Sequence, residues 1–170
     1  MAFIFISHSE KDKAVVESLC SLLDKFQFDH YIAERPEEFD PNDELPTRIQ
    51  GELRRCHCLI AIITARSKDS AWVNQEIGFA LGAGKPLVTI VQGKIRPKGF
   101  VQARQRARFA RRPANSQDVK GKVIPYLLNL RKREEKPCDH RYSLVTPRMT
   151  RTLVRYSAGY WKTKDSLLML

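Results

Sequence analysis

Leu59-Ile60-Ala61-Ile62-Ile63, then Thr64-Ala65-Arg66-Ser67-Lys68-Asp69, then Ser70-Ala71-Trp72-Val73-Asn74-Gln75-Glu76-Ile77-Gly78 is the stretch on which the fold turns. Five apolar residues in a row read as a strand buried on both faces. The next six form a polar loop. Ser70 is a good helix cap, and the helix it opens runs to about Leu81 before Gly82-Ala83-Gly84-Lys85-Pro86 stops it. Leu87 to Val91 is again continuous and apolar. A buried strand, a helix and a second buried strand imply a parallel sheet with helices on both faces.

The same alternation precedes this unit. Phe3 to Ile6 is a short apolar run broken by Ser7-His8-Ser9. Ser9 with Asp12 three residues on predicts a capped helix start, and Val15, Leu19, Leu22, Leu23 and Phe26 follow at helical spacing. Phe28 to Ala33 reads as a second strand. The acidic segment 34–43, with Pro36 and Pro41, reads as a loop. Leu45, Ile49 and Leu53 mark a further helix with Pro46 in its first turn. Past residue 95 a short fifth strand is expected near Arg106–Ala110. A last helix is expected from Gln117 to Arg131, with Pro125 inside it. The organisation expected is an α/β domain over 1–130 and a basic C-terminal extension over 131–170.

A chain of 170 residues with 42% apolar content supports one domain with a proper core. No apolar run approaches the ~18 residues that span a membrane. Phe3–Ile6 lacks a basic flank before it and a cleavage site after it, so it reads as a strand and not as a signal peptide. The expected location is the cytoplasm. Cys56 and Cys58 are separated by one residue and have no second half, so a zinc site is not expected. Cys20 and Cys58 read as small buried hydrophobes in a reducing compartment.

The net charge of +11 is unevenly spread. Residues 1–95 hold 11 Lys and Arg against 14 Asp and Glu, whereas residues 96–170 hold 19 against 5. Seven basic residues and no acid lie between Arg96 and Arg112. That segment is a candidate contact for a polyanion, with a solvated basic face as the alternative.

Ligands of open α/β sheets sit beyond the carboxyl ends of the strands. Ser7–Ser9, the 34–43 loop and the 64–70 loop with Trp72 and Glu76 all fall at that edge. Trp72 and Glu76 are four residues apart on one helix face. An aromatic plate beside a carboxylate suits cleavage of a sugar–base bond: the ring stacks on a base and the anion stabilises the cationic sugar. On the pair alone the plainer reading leads, with Trp72 as core and Glu76 as a solvated helix charge. Gly78, Gly82 and Gly84 follow a helix and precede a strand, the wrong order for a dinucleotide fingerprint. Gly84-Lys85 lacks the rest of a phosphate-binding loop. A phosphorelay receiver would need acids where Ser7-His8-Ser9 and Thr64 stand. No Gly-x-Ser-x-Gly elbow supports a triad of Ser7, His8 and Asp69.

Taken in order, Phe5-Ile6-Ser7-His8-Ser9-Glu10-Lys11-Asp12, Tyr31-Ile32-Ala33-Glu34, Leu59 to Thr64, Ser70 to Gly78 and Gly84-Lys85-Pro86 resemble the Toll/interleukin-1 receptor (TIR) domain in its prokaryotic form. The resemblance covers residues 1–93 and extends in outline to about 130. It implies a flavodoxin-like fold, a doubly wound parallel sheet of order 2-1-3-4-5. It also implies cleavage of NAD⁺ to nicotinamide and ADP-ribose or a cyclic ADP-ribose, with NAD⁺ as substrate and no separate cofactor or metal.

By that resemblance Glu76 is the catalytic residue. Trp72, Ser7, His8, Ser9, Lys11 and Glu34 bind substrate. The 34–43 loop mediates self-association, a downstream effector protein is a further partner, and the setting is anti-phage immunity. Two departures stand out. The loop reads Asp40-Pro41-Asn42-Asp43 where the family usually has Pro-Gly, and Ser9 follows His8 where catalytic members often have a basic residue. The rival expectations are a non-catalytic TIR scaffold and a nucleoside deoxyribosyltransferase-like enzyme.

Overall fold

The computed structural model describes residues 2–33, 46–97 and 105–135. The 34–43 loop with Glu34, and the extension from residue 136, lie outside the described residues. The described residues form five strands: β1 (Phe3–Ser7), β2 (Asp29–Ile32), β3 (Cys58–Ile63), β4 (Leu87–Gln92) and β5 (Gln105–Phe109). Helices α1 (Lys13–Lys25), α2 (Thr47–Arg55) and α3 (Ala71–Gly82) separate the first four, and α4 (Gln117–Glu135) follows β5. All ladders are parallel and the sheet order is β2-β1-β3-β4-β5. The flavodoxin-like order expected from the resemblance is the one observed.

Period-two alternation along the strands divides the core into two layers. Ile4, Ile6, Cys58, Ile60, Ile62, Val88, Ile90, Ala107 and Phe109 face α1 and α4, meeting Leu19, Leu23, Val123 and Leu127. Phe5, Leu59, Ala61, Ile63, Leu87 and Val91 face α2 and α3, meeting Leu53, Trp72, Val73 and Ile77. Every residue of β3 is buried, because the strand is central and covered on both sides. The sequence alternation is continuous and apolar for that reason.

Several boundaries differ from the sequence reading. Ser9 makes no side-chain cap. Its carbonyl accepts the Asp12 N–H at 2.8 Å, closing a short 3₁₀ turn, Glu10–Asp12, and α1 begins only at Lys13. Asp12 turns inward instead of capping. Pro46 stands at the N-cap of α2 and not within its first turn. Ser70 caps α3 as expected, its hydroxyl accepting the Val73 N–H at 3.4 Å. The stop after α3 is built on Gly84 at φ +69°, the left-handed region where a side chain would be strained.

α4 carries Pro125 in its interior and still runs to Glu135. An interior proline costs a helix about 3 kcal/mol. The ring is exposed, while Val119, Val123, Ile124 and Leu127 are fully packed against the sheet and offset that cost. Near the end of α4, Arg131 donates to the Phe26 carbonyl at 3.0 Å and lies over the Phe28 ring at 5.0 Å, tying the helix to the α1–β2 turn. The first compact unit of the chain spans Met1–Glu135.

Cys56 and Cys58 are fully buried. Desolvation pushes their thiols up to about 11 and about 12. The neutral thiol is a poor nucleophile. A thiol reagent at about pH 8 is therefore expected to leave both unmodified in the native chain and to modify both once urea has unfolded it. Peptide mass spectrometry reads the outcome, and fast native labelling of either would contradict this packing.

Candidate active site

The strand order reverses between β1 and β3, so the crevice of this sheet opens beside the end of β1. Ser7, the last residue of β1, is fully buried and lies in register with Ala61 of β3, which pairs with Thr89 of β4. This row is short-chained. It leaves depth beneath α3 for a larger polar group, and Glu76 occupies that depth. Its carboxylate is 0% exposed.

An isolated carboxylate cannot be withdrawn from water without donors to replace it. Both oxygens of Glu76 have one. Ser7 Oγ donates to Oε2 at 2.5 Å, and Trp72 Nε1 donates to Oε1 at 2.5 Å. The Trp72 contact follows from helix geometry, since residues four apart share a face. The Ser7 contact joins residues 69 apart in sequence, and only the sheet topology could bring them together.

Of the two expectations for Trp72, core packing and stacking on a base, this conformation shows the packing. Its indole is 5% exposed, packed into the core layer beneath α2 and α3, with its N–H on Glu76. In this conformation the ring offers no open face to a base. It acts on the carboxylate. The plainer reading of Glu76 as a solvated helix charge is also excluded by its burial.

The structure places the remaining site candidates unevenly. His8 follows Ser7 and is buried at 6% exposure. Ser9 and Lys11 belong to the following 3₁₀ turn, Ser9 half-buried and Lys11 exposed. Glu34 lies outside the described residues. Ser7 and Trp72 each hydrogen-bond Glu76 directly.

Sequence reasoning missed a second polar cluster. Asp12 is 3% exposed, and its Oδ2 accepts from Thr64 Oγ1 at 2.7 Å. Thr64 Oγ1 in turn accepts the N–H groups of Arg66 and Ser67 at 3.0 and 3.2 Å. Ser67 Oγ accepts the Thr64 N–H at 2.8 Å and donates to the Ile62 carbonyl at 2.7 Å. Arg66 reaches back to the Lys11 carbonyl at 2.5 Å and lies 3.9 Å from Asp12 Oδ1. The cluster clasps the loop after β3 to the turn after β1. The loop leads into α3, which carries Glu76, and the turn follows Ser7 at the end of β1, so the clasp helps set the separation of the two. Polar side chains directly beyond two wholly apolar strands were the available signal.

Among the described residues, no group of three or more His, Cys, Asp or Glu side chains is placed to hold a metal ion. No described helix is long and apolar enough to cross a membrane.

The sequence model of the TIR domain family matches residues 4–124. The chain belongs to the TIR domain family. No curated protein matches this TIR domain by sequence.

Solved structures give distant likenesses. The 2-deoxyribosyltransferase of Bacillus psychrosaccharolyticus is 14% identical with a TM-score of 0.49, over 64% of this chain and 85% of that one. The Clostridium botulinum CMP N-glycosidase BcmB is 15% identical with a TM-score of 0.46, over 77% and 98%. The TIR domains of the activated Roq1 resistosome, which recognises the pathogen effector XopQ, are 9% identical with a TM-score of 0.44, over 78% and 80%. Likenesses this distant say nothing of what the TIR domain here binds or cleaves.

Removing the Thr64 hydroxyl tests the clasp. Thr64→Val keeps the shape but leaves the buried Asp12 carboxylate without its donor and two N–H groups without their acceptor. The expected loss is about 1–3 kcal/mol in urea unfolding. Asp24→Ala, at a carboxylate 65% exposed, is the reference and should change stability by less than about 0.5 kcal/mol. Equal, small effects at both positions would dissolve the clasp as a structural element.

Proposed function

We propose that this TIR domain cleaves the nicotinamide–ribose bond of NAD⁺, with Glu76 as the catalytic carboxylate. The observation that carries the reading is a carboxylate buried at the sheet's crevice with each oxygen held by a separate donor. A fixed anion in a dry site stabilises developing positive charge far better than a solvated one. As the C1′–N bond breaks, its electron pair leaves with nicotinamide, and the positive charge passes to the ribose as an oxocarbenium-like centre. Nicotinamide in NAD⁺ is already cationic, so its departure needs little general acid, and one carboxylate suffices where most glycosidases use two.

Ser7 and Trp72 aim Glu76. His8, Ser9, Lys11 and Glu34 are proposed to contact the ribose and phosphates around it, near the helix start that favours anions. Attack by water on C1′ yields ADP-ribose. Attack by the adenine or by a ribose hydroxyl yields a cyclic product.

The carboxylate is closed to solvent in this conformation, so substrate binding requires the covering side chains to yield. Activity is therefore expected to rise with protein concentration, as TIR–TIR association involving the 34–43 loop stabilises an open arrangement. The same reading includes a cytoplasmic, prokaryotic defence role, with the product passed to a downstream effector protein.

A second reading is favoured by the same zero exposure. Glu76, Ser7 and Trp72 would then be only an internal polar pin in a TIR scaffold that acts by association. Glu76→Gln separates the two better than Glu76→Ala, because alanine strands two buried donors at about 1–3 kcal/mol each. The catalytic reading expects concentrated wild-type protein to release nicotinamide from NAD⁺, detected by mass. It expects Glu76→Gln to lower that rate by at least about 100-fold with a near-native melting temperature. Full activity in the variant, or no NAD⁺ consumption by the wild type at any concentration, would leave the scaffold reading in possession. Base exchange on deoxynucleosides with no reaction on NAD⁺ would assign the chain to deoxyribosyltransferase-like chemistry.

A further inference from the structure

A groove of about 540 Å³ lies at the carboxyl ends of β4 and β5, two strands along the same sheet edge from Glu76. Arg108, Arg111, Arg112, Asn115 and Ser116 line it, and among the described residues no acidic side chain does. We propose that this groove binds the phosphate backbone of a nucleic acid, without recognition of its bases.

Three features support the assignment. First, Arg111 and Arg112 are uncompensated among the described residues. Arg111 and Arg112 are exposed, and among the described residues neither has a carboxylate within ion-pair distance. The nearby Asp118 does not cancel them. Its Oδ1 pairs with Lys122 at 2.6 Å, and its Oδ2 accepts the Arg108 backbone N–H at 2.6 Å.

Second, the groove is preformed. Arg108 Nη1 donates to the Gly93 carbonyl at 2.5 Å and to the Ile95 carbonyl at 3.3 Å, fixing the guanidinium across the turn after β4. Ser116 Oγ holds the Arg108 carbonyl at 2.5 Å and caps α4 through the Val119 N–H. A guanidinium already held in place loses little freedom when an anion docks beside it.

Third, the chemistry of the lining selects the ligand. Arginine presents several donors in a plane that matches phosphate oxygens. Among the described residues the one aromatic in the lining, Phe109, is 3% exposed and belongs to the core layer under α1 and α4, so no base can stack on it. Exposed Lys94 and Arg96 extend the positive surface beyond the groove. A charged surface longer than its concavity fits a repeating polyanion better than a single small one.

The test uses the full chain and a short labelled duplex of mixed sequence, read by fluorescence anisotropy across a salt series. Wild type is expected to bind at low salt. Arg111→Ala with Arg112→Ala should weaken binding by about tenfold or more and lower the salt slope by about two. Both side chains are exposed and lack partners among the described residues, so the fold is unaffected. Lys13→Ala with Lys25→Ala removes the same charge from exposed positions on α1 and should change affinity by less than about twofold.

Equal weakening by the two pairs would mean bulk charge and overturn the groove assignment. So would undiminished binding by the arginine pair, or no binding by wild type. Displacement by free inorganic phosphate at matched phosphate concentration would replace the polymer with a small anion and overturn the backbone assignment.

Discussion

A carboxylate withdrawn completely from water must be met by hydrogen-bond donors, and at Glu76 those donors come from two different elements. Trp72 is supplied locally by the turn of α3, whereas Ser7 is supplied by the end of β1. The demand couples helix placement to strand register. A one-residue slip of β1 against β3 would turn Ser7 to the opposite layer and leave the anion short of a partner. The short side chains at Ala61 and Thr89 and the clasp from Asp12 to Thr64 both serve this geometry: one provides the depth, the other sets the spacing of the loops. Burial of the charge is a strong constraint because a missing partner costs more than its presence contributes.

The same sheet edge carries two chemically different places. Near β1 and β3 it is closed to solvent and, among the described residues, holds two buried carboxylates, Glu76 and Asp12, each met by hydrogen-bond donors. Near β4 and β5 it is open and cationic, with arginines that no described acid neutralises. The division follows the sequence, in which the first 95 residues have an excess of acid and the remainder a large excess of base. A parallel sheet brings the ends of both halves to one edge, so a charge asymmetry along the chain becomes an asymmetry across a surface.

Much of the fold was legible because the strands are continuous apolar runs and the helices carry period-3.6 faces. β3, α3 and β4 fall within a residue or two of their expected limits, and the strand order followed from the resemblance. What was missed or left open has a common physical origin. Asp12 has the spacing of a capping residue, and the sequence does not show that Thr64, 52 positions on, competes for it. Trp72 has the spacing of a stacking plate, and periodicity alone does not distinguish a ring that faces a ligand from one that faces its own helix. The last helix, by contrast, was expected with Pro125 inside it, and α4 does run through the proline because its packing on the sheet outweighs local propensity. In each case a tertiary contact decided between two locally acceptable readings.

The tie from Arg131 to the α1–β2 turn has a practical bearing on where the chain can be shortened. Phe26 and Phe28 flank Gln27, which holds φ at +56°, a backbone state that a glutamine adopts only when its neighbours constrain it. Arg131 binds the carbonyl on one side of that residue and covers the ring on the other. A truncation after residue 130 would remove this brace from a turn at the far end of the domain in sequence and expose Phe28. A recombinant domain cut after Glu135 keeps α4 whole and the brace with it.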